Sequence, residues 1–297
     1  YGLPVSANVK SLVWYNPANF KAAGLTVPKT DADMTKLTNT IKSKKLGFPW
    51  CIGIESGGAT GWAATDWMEE YVLRYGGEAQ YTAWWKGQLA WSSPTVQKAA
   101  KKFADIALTP GNVNGGGKAI AATGFGTTAN LFATDKNKCF MMRQGSFITD
   151  FFPDAVKAEY KANNFSRVGV FKLPAPAGTT DAVLGGGDLA AAFDANPATQ
   201  KVLNFILSDK LGQGAMLANY PSYLSAHKTF PSAGYKNPIT KNIAGILSSA
   251  KLFGFDGSDL APAVVNATEW TELTNWIAGK KTQKQAFDAI DASWKKA

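Results

Sequence analysis

Trp50-Cys-Ile-Gly-Ile-Glu55-Ser-Gly-Gly-Ala-Thr-Gly-Trp62-Ala-Ala-Thr-Asp-Trp67-Met68-Glu-Glu70-Tyr71-Val72 changes character twice along its length. The apolar run Trp50–Ile54 is short and ends in a glycine cluster, as a buried strand does. From Trp62 onward, Trp67, Met68, Tyr71 and Val72 recur at helical spacing, and Gly76-Gly77 supplies a stop. A strand, a glycine-rich turn and a helix in succession form the repeating unit of α/β layers.

The flanking sequence repeats the alternation. Thr30 with Asp33 makes a capping-box-like start ahead of Met34, Leu37 and Ile41. Ser93-Pro94 and Asn196-Pro197 each set a polar cap before a proline at the first helical position. The first opens a stripe of Val96, Ala99, Ala100, Phe103 and Ala107; the second precedes Val202, Leu203, Phe205 and Ile206. A last helix carries Ala286, Phe287, Ile290 and Trp294 on one face, and Trp67 and Trp294 read as core. Ser11–Tyr15, Cys139–Met142, Val168–Leu173 and Leu189–Phe193 have strand character. Leu173–Gly178 reads as a linker or surface turn.

The chain has 297 residues, is 45% hydrophobic and 18% charged, and carries a formal charge of +9. That excludes disorder, and the length allows one large or two ordinary domains. No apolar run approaches the ~20 residues of a membrane-spanning helix. The positive charge is spread out, which speaks against nucleic acid as a partner. With one histidine and two cysteines the chain has too few soft ligands for zinc, and no metal or cofactor is expected. Cys51 and Cys139 either close one long loop in an oxidising compartment or remain two buried thiols; the residues leave both open. Tyr1-Gly2-Leu3-Pro4 has no signal-peptide features, so the chain is read as processed, truncated or a piece of something longer.

Glycines invite nucleotide readings that fail on inspection. Asn114-Gly-Gly-Gly-Lys118 lacks the leading glycine of a phosphate loop, and Ala119 stands where Ser or Thr must hold magnesium. Gly124-Phe-Gly-Thr-Thr-Ala129 fits GxGxxA, yet no strongly apolar strand precedes it, so a plain glycine turn accounts for it. Around Glu55-Ser56-Gly57 the nucleophile elbow is broken by Ile54, and His227 has polar neighbours typical of a solvated residue. Glu69 and Glu70 are adjacent on a helix and point apart. What remains is rings beside glycines and hydrogen-bonding groups: Glu55 to Trp62, Arg143-Gln144-Gly145-Ser146-Phe147, and Gly185-Gly-Gly187-Asp188. Flat rings for sugar faces and polar groups for hydroxyls are what carbohydrate binding requires.

In that order, these segments resemble the extracellular solute-binding proteins of sugar ABC transporters, the maltose-binding-protein class. Gly53–Glu70, Cys139–Ile148 and Gly185–Phe193 look most like binding components for α-glucosides such as sucrose, trehalose and maltose. Pro4–Asn16 resembles a strand that crosses between lobes. The resemblance implies a class II periplasmic-binding-protein fold, two α/β lobes closing on a sugar. Residues 12–182 and 236–297 would be second lobe, and 188–232 a return segment of the first. The chain would start at the first crossing, leaving out roughly 100 residues of the first lobe.

By the same resemblance Asn8 and Lys10 lie on the crossing strand, and Glu55, Thr60, Gly61 and Trp62 on the loop that grips a sugar ring. Arg143, Gln144, Phe147, Gly187 and Asp188 contribute further ligand contacts, and Trp270 one from a helix behind the cleft. Phe147 stands where relatives often carry a stacking Trp. Export implies a Cys51–Cys139 disulfide. Implied partners are an α-glucoside disaccharide or oligosaccharide and membrane permease subunits, with a periplasmic or extracellular location, lipid-anchored if the N-terminus carries a lipid signal. The chain would be non-catalytic. The alternative is a carbohydrate-active hydrolase using Glu55 or Asp188, which needs two carboxyls about 5–5.5 or 6.5–9.5 Å apart.

Overall fold

One run of chain, residues 8–15, serves two sheets in turn. The computed structural model describes residues 2–132, 139–213 and 220–297. Strand β2 (Asn8–Val9) pairs antiparallel with β7 (Ala182–Gly186), and β7 pairs parallel with β9 (Leu252–Phe255). Just beyond β2, β3 (Leu12–Tyr15) enters a second sheet with β4 (Phe48–Trp50), β5 (Cys139–Arg143) and β6 (Gly169–Lys172). Its order is β4-β5-β3-β6, with β4 and β5 parallel. Lys10 and Ser11 fall at the change of partners. There the Ser11 hydroxyl accepts the Leu184 N–H at 2.7 Å, replacing a ladder carbonyl. A separate ribbon joins β1 (Leu3–Pro4) to β8 (Leu189–Ala190).

Side chains of the four-stranded sheet alternate between two cores, as a pleated strand requires. Val13 and Met141 face one, Leu12, Trp14 and Met142 the other. Helices α2 (Asp31–Ser43), α3 (Trp62–Trp85), α4 (Pro94–Ala107) and α5 (Gly116–Ala122) cover the first core. So do α10 (Ala263–Ile277) and α11 (Gln283–Ser293). Helices α6 (Asp154–Lys161) and α8 (Pro238–Ser248) cover the second. Short helices α1 (Pro17–Ala22) and α9 (Gly257–Leu260) fill corners, and α7 (Pro197–Ile206) has no buried residue. A sheet covered on both faces is the α/β arrangement the alternation implied.

Local signals held where local rules decide. Thr30 and Asp33 form the reciprocal capping box, and α4 buries its five stripe residues. At Gly76-Gly77 the helix is broken rather than ended: Gly77 adopts φ 63°, ψ −170°, and a second helical stretch continues to Trp85. The β4 ladder stops at Trp50, short of Ile54, and β8 stops at Ala190, leaving Phe193 fully exposed. Strands β7 and β9 escaped the sequence reading because Gly185, Gly186 and Gly254 dilute their apolar pattern. Gly185 is required there: a side chain would begin 2.4 Å from the Asn8 carbonyl oxygen. Trp294 is a correction. It lies half-buried against Gly87, past the last turn of α11 that the core covers.

Cys51 and Cys139 are disulfide-bonded with Cα atoms 5.4 Å apart, tying the two parallel strands together. No helix among the described residues is long and apolar enough to cross a membrane.

Candidate functional site

Strands β4 and β5 run parallel, and the chain leaving their carboxyl ends builds the site, as open α/β sheets do. After β4 the glycine-rich loop closes on itself. Glu55 Oε1 accepts the Gly57 N–H at 2.7 Å, and Thr60 Oγ1 donates to the Gly57 carbonyl at 2.7 Å. Gly61 (φ 117°) then turns into α3. A side chain there would start 2.3 Å from the Trp270 carbonyl oxygen, so only glycine fits. The result is a half-buried Trp62 standing on the first turn of α3.

Two segments bring rings to it. Phe125, from the 124–127 turn, meets the indole edge-on at 4.8 Å, and Phe147, after β5, lies 5.8 Å away. Phe151 touches Phe125 at 4.8 Å. Beneath, the Lys10 ammonium lies 5.4 Å from the Trp62 ring centre, a cation–π distance. Asn8 joins through Ser146, whose hydroxyl donates to Asn8 Oδ1 at 3.3 Å and accepts the Val9 N–H at 3.2 Å.

Under the rings is a buried charge network. Lys10 Nζ donates to Asp66 Oδ1 at 2.7 Å and also to Asp256 Oδ2. Glu69 accepts the N–H groups of Gly257 and Ser258 at 3.2 Å each. Glu70 takes Arg143 at 2.8 Å, Arg74 at 2.7 Å and the Ser11 hydroxyl. Burial favours a neutral Lys10, but the charges of Asp66, Asp256 and Glu69 outweigh it and hold the ammonium protonated. Burial and the Asp256 charge push Asp66 up to about 6, even against Lys10 and Arg143. Glu70 goes the other way: burial is overcome by Arg74 and Arg143, which lower it. Asp66, Glu69 and Asp256 have metal-ligand spacing, but the Lys10 ammonium already supplies the positive charge they need.

The expected residues therefore fall into groups. Asn8, Glu55, Thr60, Gly61, Trp62 and Phe147 come together, with Lys10 directly beneath. Gln144 is buried, with Oε1 on the Gly145 N–H at 3.2 Å. Arg143 is turned inward to Glu70 and over the Trp67 ring at 5.1 Å. Gly187 and Asp188 lie further along the β2–β7 pairing, where the Asp188 carboxylate accepts the Ser6 hydroxyl at 2.5 Å. Trp270 packs its backbone on Gly61, and its indole N–H is buried with no hydrogen-bond partner among the described residues. Sequence reading missed Phe125 and Phe151; the signal was an aromatic residue inside the glycine turn, passed over as a turn alone. It also missed the charge network, whose trace was acidic residues set among the apolar positions of α3.

A family profile described as bacterial extracellular solute-binding protein matches residues 1–213. The alpha-glucosides-binding periplasmic protein AglE of Rhizobium meliloti (strain 1021) is 35% identical over 99% of this chain. The osmoprotective compounds-binding protein GgtB of Synechocystis sp. (strain ATCC 27184 / PCC 6803 / Kazusa) is 33% identical over 99% of it. The chain spans 63% of the first and 68% of the second. Among solved structures, a chitin oligosaccharide binding protein has the same fold, with a TM-score of 0.78 at 22% identity, over 100% of this chain and 71% of that one. The chain belongs to the bacterial extracellular solute-binding protein family.

Proposed function

We propose that the chain forms the sugar-gripping part of a non-catalytic binding protein that delivers an α-glucoside to the permease of an ABC transporter. The observation that carries this is the ring group of Trp62, Phe125 and Phe147 seated on the self-closed Glu55–Gly61 loop. Rings there meet sugar faces, and Asn8, Glu55 and Thr60 offer hydroxyl partners. The names of AglE and GgtB favour an α-glucoside first and an osmoprotective compound second. Such a protein works in the periplasm or outside the cell, lipid-anchored where its N-terminus carries a lipid signal.

In this reading residues 12–182 and 236–297 form one lobe, and 188–232, which includes residues outside the described ones, returns to the other. Helix α7, which buries no residue in either core, supports that division for the first part of the return segment, whereas Leu224 further along it packs into the second core. Glu55 and Asp188 as hydrolytic carboxyls have weaker support: one caps its own loop and the other is tied to Ser6. Calorimetry of the full-length protein against sucrose, trehalose, maltose and compatible solutes tests the reading. Trp62→Ala should lower affinity for the sugar that binds by more than tenfold, with no turnover of a chromogenic glucoside by the parent protein. Unchanged affinity, or turnover, would reject it.

A further inference from the structure

Glu269 is 3% exposed, and its Oε2 is enclosed with no hydrogen-bond partner among the described residues. One turn back on α10, Asn266 Oδ1 is enclosed without a partner too, and so is the indole N–H of the next residue, Trp270. Three polar atoms on adjacent rows of one helix therefore lack the hydrogen bonds that water would give them. The same stretch backs the sugar loop. The Trp270 carbonyl oxygen and Cα lie 2.3 and 2.6 Å from where a Gly61 side chain would begin. Thr65, on the first turn of α3, meets Ser258 at 3.2 Å, so the start of α3 and the 256–258 turn are held together beside it.

No positive charge is left over to pair with Glu269. Helix α10 packs on α3, α5, α9 and α11. On α3, Glu70 and Arg74 pair with each other, while Asp66 and Glu69 are taken by Lys10 and by the Gly257 and Ser258 N–H groups. Glu78 of α3, Lys118 of α5 and Asp259 of α9 stand exposed. On α11, Lys284 pairs with Asp288, and Asp291 accepts the Trp91 N–H. Glu272, on α10 itself, takes Lys281. Burial, then the like charge of Asp256, push the Glu269 carboxyl up to about 8. A neutral acid tolerates such an enclosure; a carboxylate without a donor does not, and must reach water. We propose that Glu269 is a proton-operated latch on the Gly61 turn: neutral, it leaves α10 pressed against the turn that seats Trp62; ionised, it draws that face of α10 toward water and releases the turn and its sugar. Asn266 and Trp270 gain water partners in the same movement, which favours opening. This rests on the function proposed above and adds its regulation.

Two readouts on the full-length protein decide this. In NMR titration without sugar, the Trp62 and Trp270 indole signals should shift with a midpoint at about pH 8 in the parent and stay fixed in Glu269→Gln. In calorimetry with maltose, sucrose and trehalose, affinity for the sugar that binds should fall about tenfold between about pH 6 and about pH 9, and stay flat in Glu269→Gln. At about pH 8 binding should take up about half a proton, read in buffers of different ionisation enthalpy, and none in the variant. Glu269→Met, neutral and apolar, serves in the same way if the Gln variant folds poorly. Indole signals that do not titrate, or that titrate alike in the variants, would overturn the latch. So would an alkaline loss of affinity that the variants keep. If none of the three sugars binds, the function proposed above fails, and the indole signals alone still decide the latch on the turn.

Discussion

Helices α4 and α7 open on the same signal, a polar cap followed by proline, Ser93-Pro94 in one and Asn196-Pro197 in the other. Asn196 makes the better cap, its side chain accepting the Thr199 N–H at 2.9 Å, while Ser93 makes no cap hydrogen bond. Burial runs the opposite way. Phe103 of α4 is fully enclosed; Phe205 and Val202 of α7 are 51% and 58% exposed. A cap and a proline decide that a helix forms, and only a facing surface decides whether its apolar side is used. Phe193, Tyr220 and Leu189 are exposed in the same part of the chain, so the contrast extends beyond one helix.

The comparison can be broken from its strongest side first. Cys51–Cys139 closes an 88-residue loop inside the well-packed body, a constraint worth about 4–5 kcal/mol in the chain-entropy model. Reduction should lower the melting temperature of that body sharply and leave amide exchange in α7 as it was; equal loss in both would mean that they form one cooperative unit. Next, Phe103→Ala should cost about 3–5 kcal/mol in denaturant unfolding through the cavity it leaves.

A pH effect of about 3 kcal/mol comes third. Burial, then the Asp256 charge, push Glu269 up to about 8 from an ordinary 4.5. The folded chain thus keeps a proton that the unfolded chain releases above its own lower pKa. Stability from this group is full below about pH 4.5 and is lost as pH rises to 8. Between pH 4.5 and 7 that is about 3 kcal/mol, and Glu269→Gln should remove this slope, measured as unfolding free energy against pH. The smallest effect belongs to α7. Phe205→Ala should change stability by less than about 1 kcal/mol, and Val202→Asp with Phe205→Asp should suppress self-association in sedimentation at high concentration. A large loss of stability from Phe205→Ala would show that α7 is docked in solution.

What could be read from the sequence followed the range of the interactions. The Thr30–Asp33 box, the α4 stripe and the start of α3 at Trp62 are decided within a few residues, and they were legible. The glycine-diluted β7 and β9 were not, since their pairing depends on each other and on Asn8. At the site, the Glu55–Trp62 loop stood out because glycines, a carboxylate and an indole are adjacent in the chain. The Lys10–Asp66–Asp256 contact was invisible, since its three members are distant in sequence and each alone looks like a solvated charge. Trp294 failed for a plainer reason: it lies past the last turn that the core covers, and periodicity does not know where a covering surface ends.

The acidic residues of α3 have one more consequence. A helix held only by apolar side chains tolerates slippage, because one methyl group replaces another with little loss. Asp66, Glu69 and Glu70 allow no such freedom: only one rotation and one height satisfy Lys10, Ser11, Arg143 and the 256–258 turn together. Broken, such a pairing leaves an uncompensated buried charge, a loss of about 3–5 kcal/mol. These charges serve as an address rather than an adhesive, telling α3 where to stop and so where its first residue, Trp62, must stand. Transplanting the glycine loop and its indole onto another scaffold would carry the ring across and leave its coordinates behind.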